Sequence, residues 1–180
     1  LAREQEVDLV VVGPEAPLCA GVVDALTHAG IAAFGPSARA ARLEGSKAFM
    51  KRFCSRHDIP TAPYLVTRDI AEAERYIDER RAPVVVKADG LCGGKGAVVT
   101  QSATEAKETA RAMLVEDVFG EAGRTIVIED RLAGVELSVH AISDGERFWV
   151  LPVARDHKRI GDGDRGPNTG GMGAFAPVKV

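Results

Sequence analysis

The chain has 180 residues, 46% hydrophobic and 27% charged, with 23 Lys and Arg against 26 Asp and Glu for a formal net charge of −3. That balance builds a core for one domain and a share of a second, and it excludes both a basic field for a nucleic-acid backbone and a basic amphipathic segment for a membrane surface. Its apolar runs are too short to span a bilayer, and three widely spaced cysteines, Cys19, Cys54 and Cys92, argue against a disulfide framework or zinc site and for a reducing, cytoplasmic setting.

Leu1 stands where a Met would open a complete chain, and no signal-like segment follows it, so the sequence reads as a piece of a longer protein. Leu9–Val12 is a continuous apolar, β-branched run, the pattern of a strand buried on both faces of a parallel sheet. Gly13-Pro14-Glu15 breaks it. Val22, Val23, Leu26 and Ala29 then recur at helical spacing, Gly30 sits where a helix stops, and Ile31–Phe34 is a second strand. Strand, helix and strand with short connections make a βαβ unit, the tail of a doubly wound α/β domain. Two helical stretches fill 37–59. The second, with Ser46 as N-cap, puts Phe49, Met50, Phe53, Cys54 and His57 on one face and ends before Pro60.

From Thr61 strands and helices alternate. Tyr64–Val66 is a short strand, Asp69 and Glu72 form a capping box for a helix to about Arg80, and Val84–Lys87 is a strand. A glycine-rich loop, Asp89–Gly96, leads into strand Ala97–Gln101, and Ser102 with Glu105 caps a helix to about Leu114. Thr125–Glu129 and Leu137–Ile142 are strands, Asp144-Gly145 is a hairpin turn, and Phe148–Val153 returns antiparallel. His157–Gly173 is polar and glycine-rich, lacks periodicity, and reads as a long functional loop.

The loop at 89–96 carries the strongest chemical signal. Glycines let backbone N–H groups approach phosphate oxygens, and Lys95 adds a point charge. A P-loop would run into a helix, whereas Gly96 is followed by the strand-like Ala97-Val98-Val99, so this loop is either a flap over phosphates or an ordinary Gly-rich hairpin. Lys87 follows three apolar valines and must leave toward solvent or an anion. Lys47, Lys87 and Lys95 each adjoin a glycine or a strand end, which fits a polyphosphate. Glu136, inside an apolar strand, faces either solvent or a ribose. Asp162 and Asp164 begin a calcium-loop pattern whose later ligands are missing. His157 beside Lys158 and Arg159 suits a hydrogen-bonding surface residue better than a base, and Cys92 has no readable base beside it and reads as a small filler.

In this order, Gly13-Pro14-Glu15-Ala16-Pro17-Leu18, Leu43-Glu44-Gly45-Ser46-Lys47-Ala48-Phe49, Val86-Lys87-Ala88-Asp89-Gly90-Leu91, Gly94-Lys95-Gly96, Asp156-His157-Lys158-Arg159 and Gly166–Ala174 resemble the glycinamide ribonucleotide synthetase family of ATP-grasp ligases. The resemblance covers essentially the whole chain, and the last string is the most specific. It implies an α/β architecture in four parts: 1–46 from a substrate-binding N-terminal domain, 47–60 a helical part of the ATP-grasp core, 61–131 the small subdomain with its glycine flap, and 132–180 the start of the large subdomain. It also implies an ATP-dependent joining of glycine to 5-phosphoribosylamine through glycyl phosphate, in purine biosynthesis. Another ATP-grasp ligase and a non-catalytic nucleotide-binding module are the alternatives.

The site residues follow from the same resemblance. Lys47 and Lys87 would contact ATP phosphates beneath a flap of Gly93, Gly94, Lys95 and Gly96. Glu129 and Leu132 would meet adenine through their backbone, and Glu136 would hold the ribose. Gly13, Pro14 and Glu15 would help bind phosphoribosylamine, while Asp156, His157, Lys158, Pro167, Asn168, Thr169, Gly170, Gly171, Met172 and Gly173 would line the site for glycine and phosphoribosylamine. The family's Mg²⁺ or Mn²⁺ ligands are expected beyond Val180, so the 180 residues alone are expected to be inactive. The family's hinge often reads Glu-Glu-Phe-Leu where this chain has Glu129-Asp130-Arg131-Leu132, and Val135 replaces a frequent acid.

Overall fold

In the computed structural model, residues 1–80, 82–163 and 165–179 are described, Pro167 and Asn168 by backbone alone. They form two compact units, residues 1–92 with 96–131, and residues 93–95 with 132–180.

The first unit opens as the sequence suggests, with β1 (Val10–Val11) parallel to β2 (Ala33–Phe34) across α1 (Glu15–Cys19) and α2 (Val22–His28). Burial on both faces is not found. Leu9 is 53% and Val11 65% exposed, because the sheet has only two strands, and two strands cannot enclose an apolar run on both sides. Next come α3 (Ala38–Gly45) and α4 (Lys47–Arg56), each capped by a serine: Ser37 Oγ accepts from the Ala40 N–H, and Ser46 Oγ from the Phe49 N–H at 3.1 Å. The expected stripe of Phe49, Met50, Phe53 and Cys54 is only half-buried. The fully buried residues of α4 are Ala48 and Lys51.

The body of this unit is a four-stranded antiparallel sheet in the order β3 (Tyr64–Thr67), β6 (Ile126–Asp130), β4 (Val84–Ala88), β5 (Ala97–Val99). Helices α5 (Ile70–Arg80) and α6 (Ala103–Leu114) follow β3 and β5 in sequence, and a short 3₁₀ turn at Gly120–Gly123 precedes β6. Strand side chains alternate between faces. Val84, Val86, Ala88, Ile126 and Ile128 therefore share one face, where they pack with Ala73, Ile77, Ala106, Ala110 and Met113 of the two helices into a sealed core. Val85, Lys87, Val127 and Glu129 occupy the opposite face, which positions the site.

The helix caps differ in detail from expectation. Asp69 Oδ1 accepts from the Ala71 N–H, but Glu72 takes a hydrogen bond from the Thr67 hydroxyl instead of closing back on Asp69. The Thr67 hydroxyl oxygen itself accepts from the Asp69 N–H, so that donor was already satisfied. At α6 the Glu105 N–H donates to Ser102 Oγ at 3.1 Å, and Glu105 Oε2 accepts from the Gln101 N–H at 2.7 Å.

The second unit is built from short hairpins. β7 (Ala141–Ser143) and β8 (Phe148–Val150) pair around a turn in which Asp144 Oδ1 accepts from the N–H groups of Glu146 and Arg147 at 2.9 and 2.7 Å. Those backbone donors hold the Asp144 carboxyl below its usual range. The strand expected over Leu137–Ile142 is reduced to β7 and an isolated bridge between Ser138 and Ala154, so Glu136 lies outside any strand. Leu137 and Val139 are 37% and 66% exposed, without the same-face packing that sustains a longer strand. His157–Gly173 corrects the expectation in the other direction. Within it β10 (Arg159–Gly161) pairs with β11 (Arg165–Asn168) with a register shift, and at its two ends β9 (Arg155–Asp156) pairs with β12 (Ala174–Phe175). Backbone hydrogen bonding needs no apolar period, which is why composition alone read as loop. Asp164, half of the calcium-loop pattern, lies outside the described residues.

Candidate nucleotide site

Lys87 and Glu129 meet because of register. Lys87 pairs with Val127 across β4 and β6, so Glu129, two residues on, projects from the same face. The anion that the sequence left open for Lys87 is this carboxylate: Lys87 Nζ is ion-paired with Glu129 Oε1. The second carboxylate oxygen belongs to Lys51, whose Nζ lies 2.5 Å from Oε2. Lys51 also donates to Thr61 Oγ1 at 2.7 Å and to the Ala62 carbonyl at 3.3 Å, with the Tyr64 ring centre 5.4 Å away. Burial pushes the Glu129 carboxyl up, but hydrogen bonds and charge from Lys51 and Lys87 outweigh it and hold the group below its ordinary value of 4.5. Lys87 keeps 26% of its side chain exposed, while Lys51 keeps 4%.

Lys47 stands at the foot of the glycine loop. Asp89 accepts from the Ser46 hydroxyl at 2.9 and 3.1 Å and from the Ala48 N–H at 2.7 Å, placing an anion on the first turn of α4. The Lys47 N–H donates to the Asp89 carbonyl, and its Nζ donates to the Gly90 carbonyl at 3.1 Å. The base of the loop is thus locked to α4. Gly90 cannot carry a side chain there, since a Cβ would sit 2.8 Å from Ala122 Cβ and 3.0 Å from its Cα. Gly90→Ala is expected to cost about 1–3 kcal/mol through overpacking against backbone that cannot rotate away. Urea unfolding would measure this, and a midpoint equal to wild type would mean the loop base is loose.

Further along, Gly93 and Gly94 adopt φ of +56° and +78°, a region that favours glycine, and Lys95 is exposed. A Cβ on Gly96 would fall 2.7 Å from Cys92 Sγ. Burial raises the Cys92 thiol despite the opposing charge of Lys47, which favours the neutral thiol of a packing residue over a nucleophile.

The other candidate residues fall into three groups. Gly13, Pro14 and Glu15 form the exposed turn from β1 into α1. Leu132, 72% exposed, and Glu136 lie in irregular chain of the second unit. In that unit the hairpins gather Asp156, His157, Lys158, Thr169, Gly171, Met172 and Gly173. Lys158 is ion-paired with Asp156, the Thr169 N–H and hydroxyl both donate to the Lys158 carbonyl, and the Gly171 N–H donates to Thr169 Oγ1. The N–H groups of Met172 and His157 donate to the carbonyls of His157 and Gly173, and the His157 ring stacks on Phe175 at 5.9 Å. At Gly171 a Cβ would lie 2.9 Å from Asp156 Oδ1, so the carboxylate occupies the space a side chain would need. Gly170 sits among them in sequence, and the side chains of Pro167 and Asn168 are not described.

Lys51 was absent from the sequence-derived candidates. Its spacing one turn after Lys47 was the available signal. Among the described residues no group of three His, Cys, Asp or Glu side chains could hold a metal ion, so these residues do not fit a divalent-cation site. Among the described residues no helix is long and apolar enough to cross a membrane.

A four-stranded antiparallel sheet with two helices on one face, a lysine–glutamate pair on the other and a glycine loop between adjacent strands is the frame of an ATP-grasp fold. Solved structures share this fold. A biotin carboxylase from Campylobacter jejuni and a D-alanyl-alanine synthetase A from Vibrio cholerae share the fold with TM-scores of 0.71 and 0.66 at 20% and 21% identity, covering 88% and 83% of this chain and 36% and 45% of those chains. The chain belongs to the phosphoribosylglycinamide synthetase family, matching its N domain over residues 1–44 and its ATP-grasp (A) domain over residues 45–180.

Relatives named phosphoribosylamine–glycine ligase include a chloroplastic protein of Arabidopsis thaliana, 55% identical over 99% of this chain, and one of Vibrio vulnificus, 52% identical over 99%. A crystal structure of phosphoribosylamine–glycine ligase from Thermotoga maritima superposes with a TM-score of 0.76 at 42% identity, over 82% of this chain and 38% of that one. The chain spans 34% and 42% of the lengths of the Arabidopsis and Vibrio proteins.

Proposed function

We propose that the intact protein is an ATP-dependent ligase that joins glycine to 5-phosphoribosylamine, forming glycinamide ribonucleotide, ADP and phosphate in purine biosynthesis. The observation that carries this reading is the identity of more than half of all residues with relatives of that activity's name, across 99% of the chain.

The residues suit the chemistry. A glycine carboxylate oxygen attacks the γ-phosphorus of ATP as the bond to the bridging oxygen breaks and ADP leaves. The amine nitrogen of phosphoribosylamine then attacks the acyl carbon of glycyl phosphate, phosphate departs, and the nitrogen loses a proton. Both steps depend on positioning and charge neutralisation. Lys47 and Lys87 contact ATP phosphates, and Gly93, Gly94, Lys95 and Gly96 supply backbone donors and one charge to the nucleotide. Glu129 and Leu132 meet adenine through their backbone, and Glu136 takes the ribose. Gly13, Pro14 and Glu15, with Asp156, His157, Lys158 and the 167–173 segment, line the sites of the other two substrates. The family implies Mg²⁺ or Mn²⁺, for which the described residues offer no cluster of His, Cys, Asp or Glu ligands. Three free cysteines support a reducing, cytoplasmic location, and a net charge of −3 supports small-molecule substrates over nucleic acid.

The test is ADP release by the intact protein supplied with Mg-ATP, glycine and phosphoribosylamine generated in situ. The expected result is release that requires both co-substrates. ATP binding without any such release would replace the ligase with a nucleotide-binding module.

A further inference from the structure

A lysine side chain that is 96% buried is costly unless every donor is used, and here all three are: Glu129 Oε2, Thr61 Oγ1 and the Ala62 carbonyl. Well-packed apolar residues replacing a buried ion pair are often neutral or stabilising, so stability alone does not account for Lys51. What distinguishes it is its partner. Glu129 is shared between a lysine sealed beneath the sheet and one that reaches solvent, one on each carboxylate oxygen.

We infer that Lys51 is a positioning residue for nucleotide binding: as the permanent counter-ion of Glu129, it lets Lys87 exchange that carboxylate for the phosphates of ATP. The inference rests on the reading of Lys87 as a phosphate ligand. Lys51, Glu129 and Lys87 together carry a charge of +1. When Lys87 turns away, Lys51 and Glu129 remain as a neutral pair. Without Lys51, the departure of Lys87 strands a buried carboxylate, so Glu129 holds Lys87 back and competes with the phosphates. Thr61, Ala62 and Tyr64 fix the Lys51 ammonium in place, so it does not follow Lys87 outward.

The experiment is calorimetric titration of the intact protein with Mg-ATP, on variants that melt cooperatively. Lys51→Met is expected to raise the ATP Kd about tenfold, within the range for groups coupled in one charge network, and to leave the glycine KM unchanged. Lys51→Met combined with Glu129→Gln restores the charge of +1 and frees Lys87, so its Kd is expected to return to within about threefold of wild type. A structural role for Lys51 predicts no such rescue. A folded Lys51→Met that binds ATP as wild type does, or a double variant no better than the single, overturns the inference. Should Lys51→Met fail to fold, the double variant decides alone: a Kd within that threefold supports the inference and a larger loss overturns it. Lys87→Ala separates the two layers. If its Kd is unchanged, the phosphate-ligand reading fails and Lys51 falls with it; if it binds weakly while Lys51→Met binds normally, only the role of Lys51 is lost.

Discussion

Glu129→Ala is expected to destabilise the protein by about 3–5 kcal/mol, the cost of removing one partner from a buried ion pair. The carboxylate is 10% exposed and serves two ammonium groups, one of them 4% exposed. Alanine leaves Lys51 with Thr61 and Ala62 but with no anion, in a place where water does not reach. Lys87 suffers less, because it can turn to solvent.

The effect carries a pH signature. The carboxyl of folded Glu129 lies below its ordinary value of 4.5, so its contribution is fully present above that value and is lost as pH falls through the lower, folded-state one. The gap between wild type and Glu129→Ala should therefore be widest near neutral pH and close in acid. Denaturant unfolding across the acid range measures both quantities. A difference under about 1 kcal/mol at neutral pH would mean that the cluster behaves as an exposed ion pair and that its burial does not matter.

Lys87→Ala is expected to lower kcat/KM for ATP by about 10²–10³, the range for removing one preorganised group that meets charge developing in the transition state. Stability should change far less than in Glu129→Ala, because Lys87 is a quarter exposed and Glu129 keeps Lys51 as its counter-ion. Steady-state kinetics beside a thermal melt separates the two. A fall of less than about tenfold, in a protein that melts normally, would take Lys87 out of the phosphate site and leave it only as a partner of Glu129. The two substitutions strike the same ion pair and should give opposite profiles, one losing stability and the other activity.

Much of the local structure was determined by the sequence itself, because it depends on neighbours in the chain. Ser46 and Ser102 cap helices because a short hydroxyl reaches an N–H three residues on. The glycine loop joins two strands because Lys95 and Gly96 are followed by Ala97-Val98-Val99, and β5 does pair with β4. The order of strands and helices from Tyr64 to Asp130, and the lysines flanking the glycine loop, were legible for the same reason.

The tertiary structure decided what depends on residues far apart in sequence. The spacing of Lys51 from Lys47 does not foretell a buried ammonium, since its partners Thr61, Ala62 and Glu129 come from other segments and only the antiparallel register of β4 and β6 brings Glu129 beside Lys87. The apolar run at Leu9–Val12 spelled a strand but not its exposure, because burial depends on what packs on each face. The hairpins between Arg155 and Phe175 escaped a periodic reading because they are held by backbone hydrogen bonds, which carry no side-chain signature, and only the folded chain shows which carbonyl faces which N–H.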